Sequence, residues 1–222
     1  MRGCACPGCG SGTSLETFDG HYGTRVELDV CHACNGLWFD PHEGQRLTPD
    51  STLALLQSMR ERADQARTPL LDFHRCPRCG GALEETMDRV RSVPVTYWAC
   101  PRGCGRYTTF FQFLREKQYV RDATAAELAA LRASVKQVDC SNCGTPIDLE
   151  GRTTCAHCGA AVGLFDTASA TLAKELSLPE PDPRAPAATA EQVARLLGRR
   201  PARTGVDLVD AGLDALFSLL GK

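Results

Sequence analysis

Six close pairs of cysteines fix what this chain can become. They read Cys6-Pro7-Gly8-Cys9, Cys31-His32-Ala33-Cys34, Cys76-Pro77-Arg78-Cys79, Cys100-Pro101-Arg102-Gly103-Cys104, Cys140-Ser141-Asn142-Cys143 and Cys155-Ala156-His157-Cys158. Two thiols on one tight turn can aim both sulfurs at a single ion. Two such turns make a closed tetrahedral zinc site, the structural kind with no open position for a substrate. Taken in order, the doublets give three Cys4 sites and use twelve of the thirteen cysteines, leaving Cys4 over. Three such pairs in series are a strong signal.

The odd count and the close pairing favour metal over disulfides, and Met1 to Cys6 carries no apolar stretch that reads as a signal peptide. Zinc is favoured over iron, which four thiolates can also bind. Modules this small bury too little apolar surface to fold unaided. A structural zinc contributes about 10–16 kcal/mol of apparent folding free energy, comparable to the whole stability of a domain. The expected fold class is therefore a small, metal-stabilised α+β protein. It consists of three tandem Cys4 zinc ribbons of short antiparallel strands, joined by α-helices and followed by a proline-rich linker and a C-terminal amphipathic helix.

The sequence divides accordingly. Ribbon 1 covers residues 1–47, a linker helix 48–70, ribbon 2 71–121, a second linker helix 122–138 and ribbon 3 139–166. A short helix at 167–178, a Pro/Arg-rich linker with a brief helix at 179–204 and the amphipathic helix at 205–222 complete the chain. In ribbon 1, Val26, Leu28 and Val30 alternate with Arg25, Glu27 and Asp29, which is the period of a half-buried strand with the charges outward. Leu37-Trp38-Phe39 supplies a third strand. Thr48 and Pro49 open the first linker helix with a capping hydroxyl and a proline at the first helical position.

Cys6, Pro7, Cys9, Asp29, Cys31, Cys34, Gly36, Trp38, Asp40 and Glu43 fall in one pattern. It resembles the transcription factor IIB-type zinc ribbon family of small bacterial domains. That resemblance covers about the first fifth of the chain and implies the ribbon fold and the metal, but no reaction. Asn35 stands where the family often has Gly, and Asn also tolerates left-handed backbone.

In ribbon 2, strands over Leu83–Val90 and Val93–Ala99 flank Arg91-Ser92, and Pro94 fits only an edge or a strand start. Tyr107, Phe110, Phe111 and Phe113 are dense for this chain. A core shared with the neighbouring ribbon is favoured over a stacking surface for single-stranded nucleic acid. Thr124 and Glu127 form a capping box that opens the second linker helix. The third ribbon resembles the short rubredoxin-like zinc ribbons, a likeness of fold only. At the C-terminus Val206, Val209, Leu213, Leu216, Phe217 and Leu220 share one helical face, opposite Asp207, Asp210 and Asp214. This face is expected to bind a partner chain or a second copy, in preference to folding back on the ribbons.

No catalytic constellation is visible, and no enzyme activity is expected. His32 and His157 lie inside doublets and are expected to face solvent. Asp40 is expected to cap a turn and Glu43 to lie on the surface. Cys4 is read as a frayed terminal cysteine, with Arg2 slightly favouring its thiolate. Formal net charge is −2, so bulk electrostatics give a nucleic-acid role no help. No apolar run is long enough to span a bilayer, and a soluble, cytoplasmic protein is expected. The favoured function is a non-catalytic adaptor for protein–protein interaction holding three structural Zn2+. The alternatives are a nucleic-acid-binding or transcription-associated ribbon protein and, more weakly, a redox-sensing or chaperone-like zinc protein. A Cys34→Ser change is expected to unfold the first ribbon and leave the other two metallated.

Overall fold

The computed structural model describes residues 2–60, 67–72, 74–90, 93–166 and 207–209. The expected helices over 167–178 and within 179–204, and nearly all of that at 205–222, lie outside the described residues. The chain forms two compact units, Met1–Glu116 and Lys117–Lys222. Its described residues form short antiparallel strands with few helices and carry three Cys4 clusters.

The first unit begins with β1 (Arg2–Ala5), β2 (Gly12–Asp19), β3 (Arg25–Cys31) and β4 (Gly36–Phe39). A short helix α1 (Glu43–Arg46) and the linker helix α2 (Pro49–Arg60) follow. Ser51 N donates to Thr48 Oγ1 at 3.1 Å, so the capping hydroxyl expected at Thr48 is in place. Leu55, Leu56 and Met59 are the buried face of α2. Then come β5 (Glu84–Val90), β6 (Val93–Ala99), β7 (Arg106–Thr109) and α3 (Phe110–Glu116).

All seven strands belong to one antiparallel sheet in the order β1-β2-β3-β4-β7-β6-β5. The first two ribbons are therefore fused through β4 and β7, the last strand of each, where sequence reasoning kept them as tandem modules. Leu37 pairs with Thr108 and Trp38 with Tyr107 across this seam. The seam is nearly symmetric: Trp38 and Tyr107 each follow the first cysteine of their ribbon's second doublet by seven residues. Trp38 also faces Asp29 on β3, and Tyr107 faces Trp98 on β6. Asp29, Trp38, Tyr107 and Trp98 thus form one row across the four central strands.

The physical reason for fusion is apolar surface. Trp38 and Tyr107 are 1% and 0% exposed, and neither small ribbon alone could bury both of these rings. Phe110, Phe111 and Phe113 are also buried, as the core reading expected, which leaves no aromatic face here for stacking on nucleic acid. β7 pairs with β6 only at Trp98 and Ala99. Beyond that point α3 takes over: Thr96 N donates to Gln112 Oε1 and Arg115 Nε donates to the Pro94 carbonyl. Pro94 therefore sits near a strand start, where no neighbouring strand needs its missing N–H.

The second unit contains β8 (Val120–Asp122), α4 (Ala125–Ser134), β9 (Gln137–Asp139), β10 (Pro146–Asp148) and β11 (Gly163–Phe165). Thr124 and Glu127 form the expected capping box on α4. β9 pairs with β10, and β8 pairs with β11. Sequence reasoning ended ribbon 2 at residue 121, but Val120–Asp122 pairs inside this unit, stacking Tyr119 on Phe165.

Candidate metal centres

Four of the six doublets are tight turns closed by a backbone bond from the residue after the second cysteine, and Gly103 N closes the Cys100 doublet by donating to the Cys100 carbonyl at 2.9 Å. Gly10, Gly80, Gly144 and Gly159 donate to the carbonyls of Cys6, Cys76, Cys140 and Cys155 at 2.7–3.0 Å. The turn needs left-handed backbone at that residue. All six doublets supply it, through Gly10, Asn35, Gly80, Gly105, Gly144 and Gly159. Asn35 does so at φ 56°, with its amide oxygen accepting from both Nε and Nη2 of Arg67.

These turns bring the sulfurs together as the sequence spacing requires. The ligand atoms of Cys6, Cys9, Cys31 and Cys34 lie within 4.8 Å of one another, as do those of Cys76, Cys79, Cys100 and Cys104 and those of Cys140, Cys143, Cys155 and Cys158. The closest Sγ···Sγ approaches are 3.5–3.6 Å in every cluster. A disulfide requires about 2.05 Å. Tetrahedral zinc with Zn–S of about 2.3 Å sets the sulfurs about 3.8 Å apart, so the clusters fit the cation and exclude cross-links. Backbone amides also turn toward the sulfurs: Gly8 N lies 3.3 Å from Cys6 Sγ and His157 N 3.4 Å from Cys155 Sγ.

Proton chemistry agrees. Hydrogen bonding within the cluster pushes Cys34 well above the ordinary thiol range, chiefly through Cys31, and pulls Cys31 down, chiefly through Cys34. Cys140 and Cys143 are split in the same way by one another. Four thiols this close cannot all ionise by themselves; a divalent cation takes the place of the shared protons. The protein thus holds three structural zinc ions, each with four cysteine ligands. The cation neutralises the clustered thiolates and stitches distant turns together.

The first two centres share their surroundings. Cys6, Cys31, Cys34, Cys76, Cys100, Trp38 and Tyr107 form one buried cluster. The Tyr107 hydroxyl lies 3.7 Å from Cys34 Sγ, and burial followed by the nearby thiols keeps the phenol well above its ordinary pKa. A Cβ at Gly8 or Gly36 would overlap this ring, which is why both positions are glycine. His74 bonds the Pro7 carbonyl at 2.9 Å and packs edge-on against Trp98 with ring centroids 4.4 Å apart. Burial lowers its pKa, so it bridges the two centres as a neutral ring.

The conspicuous carboxylates of the first ribbon are spoken for. Asp29 is 2% exposed, a correction to its expected outward position, because β3 is flanked on both sides at that end. It accepts from Cys4 N, from Thr13 Oγ1 at 2.8 Å and from Arg78 Nη2 at 2.7 Å. Arg78 also grips Asp40 with Nε and Nη2, both at 2.9 Å, while Trp38 Nε1 donates to Asp40 Oδ1 at 2.8 Å. Burial opposes ionisation of Asp40, but the bonds from Arg78 and Trp38 prevail and lower its pKa. Glu43 accepts from Asp40 N at 2.7 Å, and burial raises its pKa to about 7, so it is not the free surface group expected. Arg78, from the turn of the second ribbon, thereby clamps the first. Sequence reasoning passed over it, since an arginine between two ligands reads as solvated charge.

Other expectations need correction. His32 does not face solvent: its side chain is 7% exposed and Nε2 meets Glu16 Oε1 at 2.8 Å, with Ser58 donating to the same carboxylate. His157 is exposed as expected. Cys4 is not frayed but lies in a paired strand, and burial raises its thiol pKa, opposite to the thiolate character expected beside Arg2. Of the six residues assigned to a partner-binding face, Val209 is 3% exposed and covered by the chain itself. Val206, Leu213, Leu216, Phe217 and Leu220 lie outside the described residues. Leu208, which the helical stripe missed, is 2% exposed beside Val138, Ile147 and Val162. Asp207, expected on the polar face, accepts from Ser141 Oγ at 2.6 Å and bridges to Asp139.

Residues 5–48 match the family described as transcription factor zinc-finger, the TFIIB-type zinc ribbon. No curated protein and no solved structure matches the chain. The match takes in the first centre alone; the second and third Cys4 clusters lie beyond it. No helix among the described residues is long and apolar enough to cross a membrane.

Proposed function

We propose that this is a non-catalytic adaptor whose zinc ribbons form a rigid frame for protein–protein interaction. One observation carries the proposal: every metal centre is closed by four cysteines, and Asp29 and Asp40 are spent on Arg78 rather than left open to a substrate. A catalytic zinc keeps a position for water or substrate, and these centres keep none. The third ribbon, read as rubredoxin-like on its two short turns, is the natural platform for the C-terminal segment, which Asp207 and Leu208 fasten to it. Leu213, Leu216, Phe217 and Leu220 then continue as the partner-binding part of an amphipathic helix.

Affinity capture from the native cell tests this reading, comparing the full chain with one ending at Gly212, which keeps the anchor at residues 207–209. A partner retained at high salt by the full chain and lost from the shortened one is the expected result. The second reading, association with nucleic acid or transcription, is favoured by the transcription factor zinc-finger match over residues 5–48. Labelled DNA and RNA oligonucleotides titrated between about 50 and 200 mM salt separate the two, because phosphate contacts weaken steeply with salt. Saturable, strongly salt-dependent binding would move the assignment to nucleic acid.

A further inference from the structure

Among the described residues, the outer strand of the seven-stranded sheet, β5, ends the order with no strand beyond it. Its pairing with β6 sets Met87 opposite Thr96 and Arg89 opposite Pro94. On β6, Thr96 N and the Pro94 carbonyl point away from β5, to Gln112 and Arg115. Those pairs are therefore the non-hydrogen-bonded kind, and by the alternation of an antiparallel ladder Glu85, Met87 and Arg89 direct their N–H and C=O groups to the open side. These same three residues are exposed, and Met87 is 81% exposed, a large apolar side chain standing in water on an open edge.

We propose that this edge pairs with the β5 edge of a second copy, antiparallel about a two-fold axis through Met87. The order of the side chains singles out that occupant. Glu85 and Arg89 lie two residues either side of Met87, so the two-fold places Glu85 of each copy directly opposite Arg89 of the other and Met87 against Met87. Opposite charges facing across an antiparallel pair stabilise it, and like charges destabilise it. A foreign basic strand would suit Glu85 but set its own charge against Arg89. The Asp88 carboxylate now accepts from Arg89 N at 2.6 Å and must release that amide on pairing. It guards the edge against indiscriminate strand addition, as charged edges do.

Sedimentation velocity of the zinc-loaded full chain over a concentration series tests the proposal. A concentration-dependent dimer is expected. Glu85→Arg and Arg89→Glu each shift the population to monomer by setting like charges face to face, and the double variant E85R/R89E restores the dimer. Met87→Pro removes an amide that points away from β6, so the hairpin keeps its internal bonds while the dimer is lost. Three bound zinc ions and an unchanged tryptophan emission spectrum establish that each variant is folded. A chain that stays monomeric to about 1 mM, a dimer indifferent to these substitutions, or a double variant no better than the single ones would overturn the proposal.

Discussion

The first two metal centres and the third solve the same problem differently. Centres one and two share a seven-stranded sheet and a buried cluster that includes Trp38 and Tyr107, with Trp98 packed against it and the His74 ring beside Tyr107. The third centre sits among two-stranded pairs, with buried Val138, Ile147, Val162 and Leu208 beside Cys140. Fusion gives the first pair a core that neither ribbon could build alone, and it ties the fate of each site to the other. The third depends on its own zinc and on the anchor at residues 207–209.

The largest expected effect of that difference is on Cys34→Ser. The shared core extends the damage beyond the first ribbon: zinc per chain should fall from three to about one by metal analysis, with both tryptophans losing their native emission. Cys143→Ser should instead remove a single zinc and leave tryptophan emission unchanged, since Trp38 and Trp98 are the chain's two tryptophans and both lie in the first unit. If Cys34→Ser loses one ion only, the two ribbons are independent.

Arg78→Met comes next. It takes the guanidinium away from the buried Asp29 carboxylate and from Asp40, leaving Asp29 its bonds from Cys4 N and Thr13 and Asp40 its bond from Trp38, so thermal unfolding of the first unit should show a loss of about 2–3 kcal/mol, the scale of bonds to charged groups. Tyr107→Phe keeps the ring at the seam and removes only the hydroxyl beside Cys34. A loss of about 1 kcal/mol is expected in the same assay, with all three zinc ions retained.

The smallest effect falls in the second unit. Glu127→Ala removes the capping box of α4 and should destabilise that unit by about 1 kcal/mol. Its sign with pH follows from the bonds of Arg121 and Thr124, which lower the Glu127 pKa from 4.5 to about 2 despite the opposing effect of burial. A folded-state value below the unfolded one gives stability that is present above about pH 4.5 and lost as pH falls toward 2. Chemical denaturation of wild type and variant should therefore differ at pH 7 and converge in acid. A difference that persists unchanged in acid would remove the charge from the explanation.

What could be read beforehand was local. Doublet spacing gave the three clusters because four thiolates and one cation leave little geometric choice. Asn35 was legible as a turn residue because few side chains tolerate its backbone. Alternation placed Val26, Leu28 and Val30 correctly and Asp29 wrongly, since a period of two knows nothing of Arg78, which arrives from 49 residues away. The pairing of β4 with β7 was illegible for the same reason: strand partners far apart in sequence leave no trace in either strand's pattern. Val209 was assigned to a partner because amphipathicity reveals that a face must be covered, but not by what.

Stepwise chelation of the zinc-loaded chain, following tryptophan emission and metal release together, tests the fused pair most directly. One cooperative emission change accompanied by two zinc ions, with the third released in a tryptophan-silent step, is the expected result. Emission that changes in two separate single-ion steps, or that stays native after all zinc is gone, would contradict it.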